Sequence, residues 1–426
     1  MNLLVVGGGG REHAVIKKLK ENPRISKIYA APGNGGIAQD AICVPVKATD
    51  IEGVVKFARD KKIDLAAVIP DDPLAMGMVD RLQKAGIRAF GPSAPAAEIE
   101  SSKVFAKNLM KKYHIPTADY DVFDNVESAM EHIRAKGKYP VVVKADGLAL
   151  GKGVVIAENE VAAQDALHAI MNDKIFGASG DHVIVEEFLQ GPEISVLSFT
   201  DGETLVPMVA SMDHKRAYDG DQGPNTGGMG AVAPNPYYTP EVAERCMKEI
   251  FLPTVQAMNQ EGRPFRGCLY FGLMLTDQGP KVIEYNCRFG DPETQVVLPL
   301  LKTDLLDIME AVIDGRLAEQ KVEFLPQAAC CVILASGGYP KNYYTGLPIT
   351  GLNQAEEQGA AVYYAGVKEE EGKLLTAGGR VLGVTALAET LPQAVEKAYQ
   401  AAEQIHFDNM HCRKDIGRRA MEQRGE

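Results

Sequence analysis

The chain has 426 residues, 46% of them hydrophobic and 24% charged, with a formal net charge of −12. That length exceeds one hydrophobic core and predicts about three globular units, and the acidic balance excludes a nucleic-acid groove or an anionic membrane as the main partner. No apolar run approaches the roughly 20 residues that cross a bilayer, and residues 3–6 are too short, and lack the basic flank, for a secretory signal. The expected location is therefore the cytoplasm. Seven cysteines, with no C-x-x-C pair, suggest neither a disulfide framework nor a zinc site.

In chain order, residues 2–6 read as a strand, Gly7 to Gly10 as a turn and residues 11–20 as a helix. The alternation continues with strand 28–30, helix 51–61, strand 65–69, helix 73–85 and strand 88–90, the pattern of a parallel sheet covered by helices and ending near residue 100. Ser101 and Ser102 can cap a helix running to about residue 113, which Pro116 stops. Residues 120–189 then form a compact α+β unit, with strands at 141–144, 154–157 and 183–187. An antiparallel section follows, with strands at 194–200, 205–211, 268–276 and 281–285 and a helix from 240 to about 258. The Gly- and Pro-rich residues 213–236 are too long for an ordinary connection and suggest a functional loop. From residue 328 a last α+β module has strands at 331–335 and 380–385, a hairpin at 369–372 and a helix at 391–405. The fold class is thus α/β and α+β, multidomain.

The densest chemistry lies in residues 284–295. Glu284 and Asn286 fall on one face of a strand, and a carboxylate with an amide oxygen suits Mg²⁺, which takes few protein ligands. A polar strand end with a solvated loop is the plain alternative. Residues 141–156 read as strand, glycine-rich loop, strand, where backbone N–H groups can approach phosphate oxygens and Lys144 and Lys152 add charge. This is not a Walker A loop, because Gly147 and Gly151 are one residue too close and Gly153 stands where Ser or Thr belongs. A flexible hairpin would look similar.

The Gly7 to Gly10 turn before Arg11 can hold an anion at a helix N-terminus, or can simply be tight. A dinucleotide site is disfavoured, since the third glycine is missing and Ala31 to Asn34 offer no acidic ribose ligand. Glu186 to Leu189 lead through a hinge to Glu193, a carboxylate placed for ribose hydroxyls or merely strand-end charge. Asp213 to Arg216 and Gly223 to Gly230 are the basic and glycine-rich parts of the long loop, able to fold over an anionic substrate.

Taken together, the segments GGGGREHA (7–14), APGNGG (31–36), FGP (90–92), SSKVFAK (101–107), PVVVKADGLALGKGV (140–154), DHKRAYDGDQGPNTGGMGA (213–231) and EYNCRFGDPETQ (284–295) resemble, in order, the phosphoribosylamine–glycine ligase family of the ATP-grasp superfamily. The resemblance implies a preATP-grasp (Rossmann-like) domain at 1–100, an ATP-grasp domain at 101–327 with a lid at about 120–190, and a small α+β domain at 328–426. It implies ATP-dependent joining of glycine to 5-phosphoribosylamine, giving glycinamide ribonucleotide, ADP and phosphate through glycyl phosphate, in purine synthesis. Lys103, Lys144, Gly151 and Gly153 would hold the ATP phosphates, Glu186, Glu187, Phe188, Leu189 and Glu193 the adenosine, and Glu284 and Asn286 Mg²⁺ or Mn²⁺. Arg288, Lys144, Asp213 and Lys215 would face the reacting groups. Gly9, Gly10, Arg11, Asn34, His214, Gly228, Gly290 and Asp291 would join Asp213, Lys215 and Arg288 around the substrates. Small molecules are the expected partners, and the chain is expected to be a monomer or weak homo-oligomer.

Two departures from the family pattern, Ile69-Pro70-Asp71 for Gly-Pro-Glu and Val232-Ala233-Pro234 for Tyr-Ser-Pro, are expected to shape the substrate pocket. Three rivals remain at this point: an ATP-grasp ligase for another acid and amine, an NAD-dependent oxidoreductase, and a non-catalytic nucleotide binder.

Overall fold

The computed structural model describes residues 1–148 and 153–425. The strand Asn2–Gly7 is an apolar run, as a strand covered on both faces must be, and pairs in parallel with Lys27–Pro32 and Leu65–Val68. Ile42–Cys43 and Arg88–Phe90 complete a five-stranded parallel sheet. The expected helix at 73–85 is instead two, Asp71–Ala75 and Met78–Lys84, because Gly77 between them takes φ +84°. A helix at Ala94–Ser101 was not anticipated. Its signal was present, with Ser93 Oγ accepting the Ala96 N–H at 3.4 Å and Pro95 in the first turn.

The antiparallel sheet runs Leu205–Pro207, Glu193–Thr200, Gly267–Thr276, Gly279–Asn286. Strand alternation lets it share two cores with the N-terminal sheet: Leu4 and Val6 pack in one with Val196 and Phe271, Leu3 and Val5 in the other with Leu197 and Phe199. The sheet of Tyr120–Phe123, Val183–Glu187, Val141–Ala145 and Val154–Ala157 instead has a core of its own, around Ile133, Val143, Ile170 and Val185. This smaller unit is fastened to the helix Lys103–Lys112 at its start. Asp146 Oδ1 accepts from Ser102 Oγ and the Val104 N–H, both at 3.2 Å, and Lys103 Nζ donates to the Gly147 carbonyl at 2.6 Å.

The long loop is not irregular. Met212–Asp213 and Gly230–Ala233 pair with each other, and Gly230–Ala233 also pairs with Ala328–Ser336, so the loop supplies two strands to the C-terminal sheet that continues through Arg380–Ala388 and Ala361–Tyr364. Between them Arg216–Tyr218 and Gln222–Asn225 form a small hairpin. Three- and four-residue strands among glycines carry too little periodicity to be read from sequence. The helix expected at 240–258 continues through a widened turn, Met247–Phe251, just ahead of Pro253, whose missing N–H removes an ordinary helical bond.

Phe251 and Phe271 are fully buried with ring centroids 4.3 Å apart at the centre of the first core. Phe271→Ala is expected to cost about 3–5 kcal/mol, read as a lower denaturant midpoint for the main unfolding transition.

Candidate functional site

A cavity of about 690 Å³ opens where the parallel sheet, the small sheet, the antiparallel sheet and the C-terminal sheet meet. On one side it is walled by Lys103 and Lys107. Four residues apart on one helix, they share a face, which the sequence would have revealed had spacing been applied to SSKVFAK. Lys107 Nζ lies 2.5 Å from Glu186 Oε2, and Lys144 Nζ pairs with the other oxygen of the same carboxylate. Lys144 Nζ also donates to the Ile283 carbonyl at 3.2 Å. Residues 144 and 283, far apart in the chain, thus meet directly.

Lys107, Lys144 and Glu186 are 3%, 4% and 5% exposed, so two ammonium groups share one carboxylate out of water. Burial depresses the pKa of Lys107 and of Lys103. Burial alone would raise the Glu186 pKa, but Lys144 and Lys107 bring it below the ordinary carboxylate value. The surplus positive charge favours an anion in the space these groups face. Glu186 is therefore engaged by lysines through its side chain, while Glu187, Phe188, Leu189 and Glu193 line the cavity beyond it.

Glu284 and Asn286 project into the cavity from the end of Gly279–Asn286. Burial opposes the charge of Glu284, but Lys215, Lys144 and Lys103 outweigh it and hold the carboxylate ionised. Neither side chain has a hydrogen-bond partner among the described residues, and the nearest cation to Glu284, Lys215, is 4.0 Å away. A hard carboxylate oxygen and an amide oxygen left open beside an anion-seeking wall fit Mg²⁺ or Mn²⁺.

The opposite end is built around Arg288. Its guanidinium lies 3.0 Å from Glu100 Oε1 and 3.9 Å from Asp71 Oδ2, and Glu100 Oε2 accepts the Cys287 N–H at 2.7 Å. Burial would lower the Arg288 pKa; Glu100 and Asp71 raise it instead. Arg11 and Asp291 line the same end. The Asp71 departure therefore does fall in the pocket. Val232 and Ala233 do not: they are buried in the C-terminal sheet, a correction to the expectation that both departures shape the pocket.

Asp213 and Lys215 line the cavity, carried by a loop that the chain's last residues brace. Arg413, 1% exposed, grips Asp415 and donates to the Arg216 carbonyl (3.2 Å) and Asp221 Oδ1 (3.0 Å). His214 belongs to this bracing and does not line the cavity: Nδ1 bonds the Gly230 carbonyl at 3.1 Å and Nε2 accepts the Gly417 N–H at 3.1 Å. Burial lowers its pKa to about 4, so the ring is neutral.

Gly9, Gly10, Asn34, Gly228 and Gly290 also lie off the cavity lining, and Gly151, like Lys152, lies outside the described residues. The Gly9 N–H is taken by Glu12 Oε2 at 2.7 Å. Asn34 is a staple: Nδ2 donates to the carbonyls of Gly8, Tyr364 and Ala365 at 2.9–3.0 Å, while Oδ1 accepts from Gly36 and Ile37. Lys107, Glu100, Tyr270, Glu293 and Arg380 line the cavity but were not selected from the sequence.

A parallel N-terminal sheet, a separately cored small sheet facing an antiparallel one, and a lysine-walled cleft between them define the ATP-grasp ligase class, whose members use ATP. Family models described as phosphoribosylglycinamide synthetase N domain, ATP-grasp (A) domain and C domain match residues 1–100, 101–294 and 329–419. The chain belongs to the phosphoribosylamine–glycine ligase family. It is 49% identical to the phosphoribosylamine–glycine ligase of Caldanaerobacter subterraneus subsp. tengcongensis, covering 98% of this chain and 99% of that one. It is 48% identical to the enzyme of Halalkalibacterium halodurans, covering 100% and 98%. The crystal structure of phosphoribosylamine–glycine ligase from Thermotoga maritima superposes with a TM-score of 0.86 at 33% identity, over 98% of this chain and 100% of that one. Biotin carboxylase from Campylobacter jejuni, at 15% identity and a TM-score of 0.74 over 96% and 92%, shares the fold.

Asn34→Ala is expected to lower stability by more than about 2 kcal/mol, since buried backbone groups lose their partners, and to leave nucleotide affinity unchanged. Thermal melting and titration with a fluorescent nucleotide check this.

Proposed function

We propose that this chain joins glycine to 5-phosphoribosylamine, the two partners in the name its relatives carry, and that one ATP is cleaved to ADP and phosphate, in keeping with its ATP-grasp domain. The observation that carries the site assignment is the contact between Lys144 and the Ile283 carbonyl: lysines suited to phosphate and the Glu284 and Asn286 oxygens suited to a metal face one space. Lys103, Lys107 and Lys144 hold the phosphates, and the small sheet folds over them as a lid. Glu284 and Asn286 hold Mg²⁺ or Mn²⁺, which neutralises phosphate charge when bound. Glu187 to Leu189 and Glu193 receive the adenosine. Arg11, Arg288 and Asp291 face the two smaller substrates, with Asp213 and Lys215 opposite.

A carboxylate is a poor electrophile, and phosphorylation to an acyl phosphate makes it a good one. The lysines stabilise charge developing on the transferred phosphoryl group, and Arg288, held rigid by Glu100, stabilises it from the other end. Exclusion of water protects glycyl phosphate until the amine attacks. Domain limits near residues 100 and 327, a cytoplasmic location and a monomeric or weakly associating chain complete the reading. Among the described residues no helix is long and apolar enough to cross a membrane.

ADP formation is expected to require glycine and phosphoribosylamine together, and a panel of other acids and amines should not replace them. Glu284→Gln and Lys144→Ala are each expected to lower turnover by about 10²-fold or more in protein that stays folded; near-normal turnover in either would sink the assignment.

A further inference from the structure

Capture of an acyl phosphate by an amine requires a proton acceptor. The carboxylates around this cavity differ sharply in whether they are free to serve. On the nucleotide side Glu186, Glu187, Glu193 and Glu284 each lie within 4.0 Å of a lysine. At the other end Asp71, Glu100, Asp221 and Asp291 each lie within 4.0 Å of an arginine. Asp213 and Glu293 alone among the cavity's carboxylates have no cation that close among the described residues.

From this geometry we infer that Asp213 takes the proton from the attacking amine and that Glu293, the other unpaired carboxylate of the cavity, acts through Asp213. The inference rests on the ligase reading above. Asp213 Oδ1 accepts only a backbone bond, the His214 N–H at 2.7 Å. Glu293, 4% exposed, accepts from Tyr270 Oη at 3.0 Å, and that hydroxyl lies 2.8 Å from Ser195 Oγ. Two glycines make room for these carboxyls. A Cβ on Gly228 would come within 2.7 Å of Asp213 Oδ1, and one on Gly290 would strike Glu293 Oε2. This gives physical reasons for two glycines that do not line the cavity themselves.

The charges around the pair agree with the role. Burial and then repulsion from Glu293 raise the pKa of Asp213, with Lys215 and Arg380 opposing at longer range. Burial also raises that of Glu293, against Tyr270, Arg288 and Lys215. In the step itself, the amine lone pair forms the C–N bond to the glycyl carbonyl carbon, and the carbon–oxygen bond to phosphate breaks. Inorganic phosphate leaves with that electron pair, and one N–H proton passes to the Asp213 carboxylate, giving a neutral amide. Asp213 is the catalytic group, and Glu293 acts through it as a positioning residue.

The test compares two nucleophiles on Asp213→Asn and Glu293→Gln, both nearly isosteric, with folding checked by melting and nucleotide titration. Hydroxylamine traps glycyl phosphate as a hydroxamate and, being weakly basic, gives up its proton to water without a protein acceptor. For Asp213→Asn the ratio of glycinamide ribonucleotide to hydroxamate should fall by about 10²-fold or more. For Glu293→Gln the acid limb of the kcat/KM profile should move to lower pH, because removing a negative neighbour lowers the Asp213 pKa. An unchanged product ratio in folded Asp213→Asn, or an acid limb that stays in place in Glu293→Gln, would overturn the proposal. Should Asp213→Asn fail to fold, the Glu293→Gln profile decides alone. Wild-type enzyme that makes no glycine-dependent hydroxamate would remove the ligase reading itself.

Discussion

Two lysines share one buried carboxylate, and the surrounding units are arranged about that trio. Lys107 and Lys144 are both shielded from water against Glu186, and Lys144 also helps to hold Glu284 ionised. Desolvation of such a trio is costly, and only close pairing with further hydrogen bonds offsets it. Lys107 comes from the helix that follows the parallel sheet, Lys144 and Glu186 from the small sheet, and the Ile283 carbonyl that Lys144 also contacts from the antiparallel sheet. The cluster therefore sets the relation of three units and the charge of the cleft between them at once.

The same economy governs the other end. Arg288 is useful toward a substrate only if its direction is fixed, and Glu100 fixes it while also accepting the Cys287 N–H. Cys287 itself is buried and its thiol pKa is pushed well up by that burial, so its place in a chemically dense loop reflects packing.

Much of this was legible in the chain. Apolar runs with helical spacing between them announced the parallel sheet, and residues 284–295 announced an oxygen pair on one face, because strand alternation alone puts Glu284 and Asn286 on one side. What escaped had no local signature. Glu293 sat in plain view within the motif, but its significance is the absence of a cation, which only three dimensions reveal. Arg380 reaches the site from the C-terminal sheet by donating to the carbonyls of Gly227 and Asp291, a relation with no echo in sequence spacing. His214 and Asn34 misled in the opposite sense. Polar residues inside a chemically rich segment can serve the backbone, and here both spend their side chains on main-chain groups.

The weaving of Gly230–Ala233 beside Ala328–Ser336 has a temporal consequence. A ribosome delivers Lys215 and its neighbours long before the strand that flanks them and the arginine that props them, Arg413, have been made. Until then the segment is an unpaired ribbon edge. The final shape of the loop is thus among the last features to set, after Lys103, Lys107, Lys144, Glu284 and Asn286 have all been made.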